Sequence, residues 1–437
     1  MSLSTLVGMY PNHHATQPHD KVYALLGLAN EEDAKNLWPD YDIEWHEVLI
    51  RLAQLTFPQS SVQAWSGNEF VVIKCKGNVL GYVCNATPSN GQQKITILYN
   101  SQAEKWGYRW KWESVWTVEE MAVSIRDGDM ICMIQERSEP SVIRLCGDHF
   151  ALIIPVARPV LSRTLEMDTY SEDEIYEVDD GTTAVYQGPS NDICLKWRVM
   201  GDEQISETSS ETRLTELAPG YRQSKSESEA QLDHIARIME GIFGIPEKEH
   251  LNNKAMENII FQCDKNIPLT RIAWVTAANE GYIGPDIMEA LFKHWGQDLP
   301  VDESVVIAAA ENIGEAGFAI LETFFRHRGQ NVPVSPSVVQ SAIWNKSKAR
   351  LRIFEVLFKY LGRNVPITED HVKILVKREY SNEVPMLKVL SRQYGRNLPV
   401  TEEVVQAAAQ NKGEHGTEIM EILAEHQPGG QFWNPVK

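Results

Sequence analysis

The sequence predicts a multi-domain α+β chain, with a small antiparallel, β-barrel-like domain followed by a C-terminal α-solenoid of helical hairpins. Three observations lead there. A 33-residue period runs through the C-terminal third, and from Asn68 to Ala157 the hydrophobic pattern has period two with many β-branched residues. Third, 43% hydrophobic and 23% charged residues over 437 positions is the composition of a folded chain rather than a disordered or collagen-like one.

The repeat is carried by several landmarks in phase. Pro268, Pro300, Pro333, Pro366 and Pro399 stand 32 or 33 residues apart, and each opens the same phrase, from Pro268-Leu269-Thr270 to Pro399-Val400-Thr401. Ile287, Ile320, Ile353, Met386 and Ile419 keep the step, as do Gly296, Gly329, Gly362 and Gly395. Each unit reads as two helices. Thr270, Asp302, Ser335, Thr368 and Thr401 sit where an oxygen can take up a free N–H at a helix start, and Pro336 occupies a first helical position, where its missing N–H costs nothing. The first helix carries small residues, Ala308 to Ala310 and Ala407 to Ala409, and stops near Asn312, Asn345 or Asn411. The second is heavier, with a broad apolar stripe such as Ile287, Met288, Leu291 and Phe292.

The spaced glycines are expected to close the second helix in the left-handed conformation, and the Asn/Asp-x-Pro that follows forces an extended link to the next unit. Met256, Glu257, Ile259 and Ile260 repeat the second-helix pattern ahead of Pro268, so a half unit is expected before the array. The result is five and a half hairpins over residues 250–427, with 428–437 as a tail. One hairpin buries too little surface to be stable alone; a stack shares a continuous core.

Such an array presents a surface to another protein. Trp274, Trp295, Trp344 and Tyr360 are its candidate anchors, the other reading being packing between units. The recurring Glu289, Glu322, Glu355 and Glu421 read as a solvated face.

In the N-terminal part, Glu69–Lys76 and Val79–Ala86 flank Gly77-Asn78, and Lys94–Tyr99 follows Ser89-Asn90-Gly91, which predicts two hairpins. A second strand group surrounds Gly147-Asp148. These segments make up the expected β domain, residues 61–161. Residues 162–249 are expected to be an acidic, partly disordered linker, because Ser162 to Thr183 holds eight acidic residues against one basic, with a short strand pair around Thr183–Tyr186 and Ile193–Val199 interrupting it.

Several segments resemble known families. Ala15-Thr16-Gln17-Pro18-His19-Asp20-Lys21-Val22-Tyr23-Ala24-Leu25-Leu26-Gly27-Leu28 resembles the closing signature of the fungal heterokaryon-incompatibility domain, and Asp40 to Thr56 resembles the helix that follows it. Residues 1–60 are therefore read as the C-terminal remnant of that domain. Asp127 to Cys132 with Pro140 to Leu145 resembles an extension that accompanies the domain, although Glu136 and Arg137 stand where a Gly is usual. The repeat period equals that of ankyrin repeats, without their Thr-Pro-Leu-His opening, and Pro399 to Asn411 more closely resembles tandem repeats of fungal incompatibility and NACHT-type proteins. The resemblance implies a role in self/non-self recognition and programmed cell death signalling. The family's N-terminal, TIR-like half has no counterpart in the sequence, so the chain is expected to be a truncated or diverged member.

Composition narrows the partners. With 41 basic against 60 acidic residues the net charge is −19, which disfavours nucleic acid and anionic membranes. No apolar run is long enough to span a bilayer, Phe150 to Ala157 being the best, and Met1 to Tyr10 lacks the features of a signal peptide. Six cysteines with no C-x-x-C spacing read as free thiols in a cytoplasmic protein. His13, His14, His19 and Asp20 form the densest ligand-type cluster, yet no other His or Cys completes a metal site. No catalytic motif occurs, and no cofactor is expected. The function expected is non-enzymatic protein–protein interaction. The alternatives are a nucleotide-processing, TIR-like NAD hydrolase using the His13–Asp20 loop, or a non-functional remnant.

Overall fold

The computed structural model describes residues 1–10, 15–65, 70–89, 91–100, 113–119, 123–135, 137, 139–157, 191–198, 213–214, 224–243, 253–278, 284–347, 349–377, 383–411 and 415–426. The chain forms two units, one of residues 1–245 and 250–268, the other of 246–249 and 269–437.

The first unit is mixed α+β. Helices α1 (Leu3–Met9), α2 (Asp20–Tyr23), α3 (Glu31–Asn36) and α4 (Trp45–Thr56) precede the strands β1 (Ser61–Gln63), β2 (Phe70–Ser89), β3 (Gln92–Tyr99), β4 (Glu113–Glu119), β5 (Met130–Ile134), β6 (Ser141–Cys146), β7 (His149–Ile154) and β8 (Asn191–Arg198). Helices α5 (Lys225–Phe243) and α6 (Asn253–Phe261) complete it. Amphipathic α4 buries Val48, Leu49, Leu52 and Ala53 and packs on β1 and β2.

These strands make one eight-stranded sheet in the order β4-β3-β2-β5-β6-β7-β8, with β1 paired to β2 and a further β2–β8 pairing. The expected antiparallel barrel is corrected to a sheet that does not close as one. Among the described residues β4 pairs only with β3 and ends the sheet, and β8 runs parallel to β7. Gly77-Asn78 is not a hairpin turn either. β2 runs straight through it for 20 residues, because Gly77 pairs with Asn191 on one side and Ile134 on the other. The second expected turn does form, with Gly91 at φ +74° between β2 and β3. A core of Leu80, Ile95, Ile97, Trp116, Ile131 and Val142 packs on the sheet.

In the span expected to be an acidic linker, 162–249, the strand expected near Ile193–Val199 forms as β8, and Thr183–Tyr186 lies outside the described residues. The departure is the 19-residue helix α5, which buries Leu232, Ile235, Met239 and Ile242 and packs on β8 and β2. The helix expected as a half repeat is α6, and it belongs to the sheet unit. Asn258 donates its amide to the Asp127 carbonyl at 2.9 Å, and Gly147 N–H donates to Gln262 O at 2.8 Å.

The second unit is helical. Its pairs are α7 (Thr270–Ala278) with α8 (Gly284–Trp295), α9 (Glu303–Glu311) with α10 (Ala316–Arg328), α11 (Pro336–Trp344) with α12 (Arg350–Leu361), α13 (Glu369–Lys377) with α14 (Glu383–Tyr394), and α15 (Glu402–Ala409) with α16 (Gly416–Ala424). The first helices α7, α9, α11, α13 and α15 pack each on the next; α8 packs on α10, α10 on α12 and α14 on α16. Ala309 and Ala310 are fully buried at the α9 contacts, where a larger side chain would hold the helices apart.

Local chemistry explains the helix starts. Asp302 accepts from Val305 N–H at 3.0 Å, Ser335 from Ser337 and Val338, and Thr401 from Val404. The glycine closure differs in detail from the expectation. Gly329 lies at φ 57°, ψ −133° and Gly362 at φ 57°, ψ −125°, the first central position of a type II′ turn rather than the left-handed helical well. Positive φ is still the requirement, and Gly296 and Gly395 share it at 57° and 53°.

Candidate functional site

In the repeat unit, the structure separates the four candidate anchors. Trp295 ends the apolar stripe of α8 and is 5% exposed, so it is a core residue. The Tyr360 ring lies flat on Phe325, with centroids 4.9 Å apart, and serves inter-repeat packing. Trp274 on α7 and Trp344 on α11 are 47% and 55% exposed. Ile313, just past the end of α9, is 56% exposed. The 33-residue step makes Trp274, Ile307 and Gln340 equivalent, and Trp344 lies one helical turn beyond Gln340. The two tryptophans therefore belong to the same outward face of the first-helix layer.

Three sets of contacts tie successive hairpins together. The first is a ladder of side-chain amides. Asn312 donates to Ala277 O at 3.2 Å, Asn345 to Ala310 O and Asn312 O at 2.9 Å each, and Asn411 to Val376 O at 2.7 Å. The second is aromatic: Phe292 stacks on His327 with centroids 4.4 Å apart, as Phe325 does on Tyr360. The third is ionic. Glu289 meets Arg326 at 2.8 Å and Glu322 meets Lys359 at 2.6 Å, so two of the four recurring glutamates reach into the next hairpin rather than simply facing solvent. In each pair the cation is exposed and the carboxylate half-buried, so each adds little stability individually. Arg328 also reaches back to Leu299 O and Tyr394 to Val365 O, both across 29 residues, occupying carbonyls just ahead of the prolines.

The asparagines were legible only as helix stops. The recurrence of Asn312, Asn345 and Asn411 in the 33-residue register was the available signal.

In the sheet unit, the incompatibility-like segment is an aromatic cluster. The His19 ring lies 6.0 Å from Tyr23, 5.7 Å from Tyr41 and 6.0 Å from Trp45. His19 Nε2 sits 2.7 Å from Ile43 O, and the Tyr41 hydroxyl donates to Asp20 at 2.6 Å. That hydrogen bond favours the neutral phenol and holds Tyr41 above the usual tyrosine range. Both groups of the proposed nucleotide loop that are described are thus engaged in packing and hydrogen bonding; His13 and His14 lie outside the described residues. Asp129 and Arg144, from the two halves of the resembling extension, form a buried bidentate pair at 2.6 and 2.7 Å, a link the sequence did not reveal.

Among the described residues no group of His, Cys, Asp and Glu has the arrangement of a metal site, and no helix is long and apolar enough to cross a membrane. All six cysteines are free thiols. Burial pushes Cys132 up to about 12 and Cys84 to about 12.

A family described as a domain of unknown function (DUF7104) matches residues 392–420. That stretch runs from the end of α14 through Pro399 and α15 into α16, so it spans most of one 33-residue period. No curated protein and no solved structure matches the chain.

Proposed function

We propose that the chain is a non-enzymatic protein-interaction protein whose tandem helical hairpins form an α-solenoid and bind a protein partner, acting in the cytoplasm in a process related to fungal heterokaryon incompatibility. The observation that carries this reading is the recurrence of the same contacts from hairpin to hairpin, with the amide ladder spanning 35 residues at each of three steps. Regular neighbour-to-neighbour contacts are what an extended array needs, and they leave the outer faces of the helices open to a partner. Trp274 and Trp344 are the anchors, since both are large, amphipathic and about half exposed, at 47% and 55%. The relation to incompatibility proteins rests on the resemblance of Ala15 to Leu28 and of Pro399 to Asn411.

The test is capture from fungal mycelial lysate by the full chain and by a Trp274→Ala/Trp344→Ala variant, compared by quantitative mass spectrometry. A protein held by the parent and lost by the variant supports the reading; identical profiles overturn the assignment of these anchors. NAD turnover by the purified chain, abolished by His19→Ala, would overturn the non-enzymatic reading.

A further inference from the structure

We propose a second interaction surface, on residues 28–47 of the sheet unit, that binds a Lys/Arg-rich segment of a protein partner. It is independent of the helical array. Trp38 is 72% exposed, Leu28 64% and Tyr41 51%, and Trp38 and Leu28 are the two most exposed large apolar residues of the described chain. Three such residues fall within 14 positions of the chain, and no other stretch of that length in the described residues holds three.

The platform is held in place. Leu37, immediately before Trp38, is 1% exposed and anchors the segment that leaves α3, and Pro39 follows. The Tyr41 ring sits edge-on to Tyr23 at 5.4 Å and its hydroxyl is bonded to Asp20, while the Tyr23 hydroxyl donates to Asp40 O at 3.1 Å.

Charge selects the occupant. From Leu28 to Glu47 the chain carries seven carboxylates against one Lys. Glu31 is engaged by Lys35 at 3.1 Å with both side chains largely exposed, a weak pair that a partner can displace. Glu32, Asp42 and Glu44 are exposed. Guanidinium and ammonium groups combine attraction to aromatic faces with pairing to carboxylates, so this surface suits a basic peptide. An apolar occupant would desolvate the carboxylates without replacing their water, and nucleic acid or anionic lipid would be repelled.

The experiment uses the full chain and a fluorescent peptide of about ten residues alternating Arg and Ser, with a Gln-for-Arg peptide as control, read by anisotropy at about 0.15 M salt. The expected result is saturable binding of the Arg peptide alone, weakened about fivefold or more by Trp38→Ala and by Glu32→Gln/Asp42→Asn, and unaffected by Trp274→Ala. Because the acidic stretch from Ser162 to Thr183 also attracts cations, a Glu172→Gln/Asp173→Asn/Glu174→Gln variant is included and should bind as the parent does. Equal affinity of the parent and Trp38→Ala, loss of binding on neutralising Glu172 to Glu174, or absence of saturable binding would each overturn the proposal. A loss on Trp274→Ala would do the same by moving the site to the repeats.

Discussion

Asn345 donates its side-chain amide to the carbonyls of Ala310 and Asn312, both at 2.9 Å, while its own carbonyl oxygen accepts from Ser347 N–H at 2.9 Å. One 3%-exposed side chain therefore closes the end of its own helix and joins it to the hairpin before. Removing it leaves two carbonyls and an N–H to find other partners, at about 1–3 kcal/mol for each group that stays buried and unpaired. Asn345→Ala should accordingly destabilise the repeat unit by about 2–4 kcal/mol. Half-buried Asn411, which donates to Val376 O, leaves its partners nearer to water and should cost less on the same change. Urea unfolding followed by far-UV circular dichroism measures both, and equal, small shifts would contradict the ladder's role.

Two glycine classes should separate in the same assay. No atom lies within 4 Å of the position a Cβ would take at Gly329 or Gly362, so alanine there is opposed only by the backbone conformation, at about 1–3 kcal/mol. At Gly81, where φ is not positive, a Cβ would lie 2.1 Å from Leu98 O and would force β2 and β3 apart. Gly81→Ala should therefore disrupt the sheet unit, whereas Gly329→Ala and Gly362→Ala should lower the stability of a correctly folded repeat unit.

What was legible in the sequence was mostly local chemistry. Asp302, Ser335 and Thr401 were readable as caps because a capping oxygen acts within three residues of its own position. Positive φ at the spaced glycines was readable for the same reason; their ψ depends on the turn that follows and was not. Gly77-Asn78 had the composition of a hairpin turn, but the strands that straighten it, β5 and β8, come from far along the chain, and β8 lies beyond the acidic run. The tryptophans were separable in principle: Trp295 falls four residues after Leu291 in an apolar stripe, while Trp344 directly precedes the helix-ending Asn345. The inter-hairpin contacts were hidden because most of their acceptors are backbone carbonyls, which every residue carries and which leave no mark on the sequence.

Thiol chemistry offers a check on the sheet. Cys132 is fully buried on β5, and its thiol is pushed up to about 12 by desolvation, so the nucleophilic thiolate is scarce at pH 8. Cys75 and Cys263 are displaced upward for the same reason. Native protein should react slowly with iodoacetamide at these three positions, and all three should label rapidly in guanidinium, as peptide mass spectrometry can count. Fast native labelling of Cys132 would mean that β5 is not packed as described.

Trp295 and Trp344 should respond in opposite ways to truncation. Trp295→Ala empties a buried site and should cost about 3–5 kcal/mol. Trp344→Ala removes a ring that is 55% exposed and should cost much less stability than Trp295→Ala while weakening partner capture. Thermal unfolding and the capture assay together discriminate core from surface. A large stability loss for Trp344→Ala would count against it as an anchor.

His371 gives the repeat unit a pH dependence with a definite sign. It stands where the equivalent residues are Val305, Val338 and Val404, is 2% exposed, and its Nδ1 accepts from Thr368 N–H at 3.1 Å. Burial is the largest influence and lowers its pKa below the ordinary histidine value, against the opposing Pro336 carbonyl and Asp370 charge. A depressed pKa means that the unfolded chain binds the proton more readily than the folded one. The stability tied to neutral His371 is therefore complete above the unfolded pKa of about 6.5 and is lost as pH falls through that value toward the folded one. Protonation also removes the acceptor that Thr368 N–H uses. His149 in the sheet unit is displaced in the same direction by burial, so the parent alone cannot assign the effect. His371→Val restores the residue type of the neighbouring hairpins and should flatten the fall in repeat-unit stability between about pH 7 and 5, measured by urea unfolding at each pH. An unchanged slope in that variant would place the titration elsewhere.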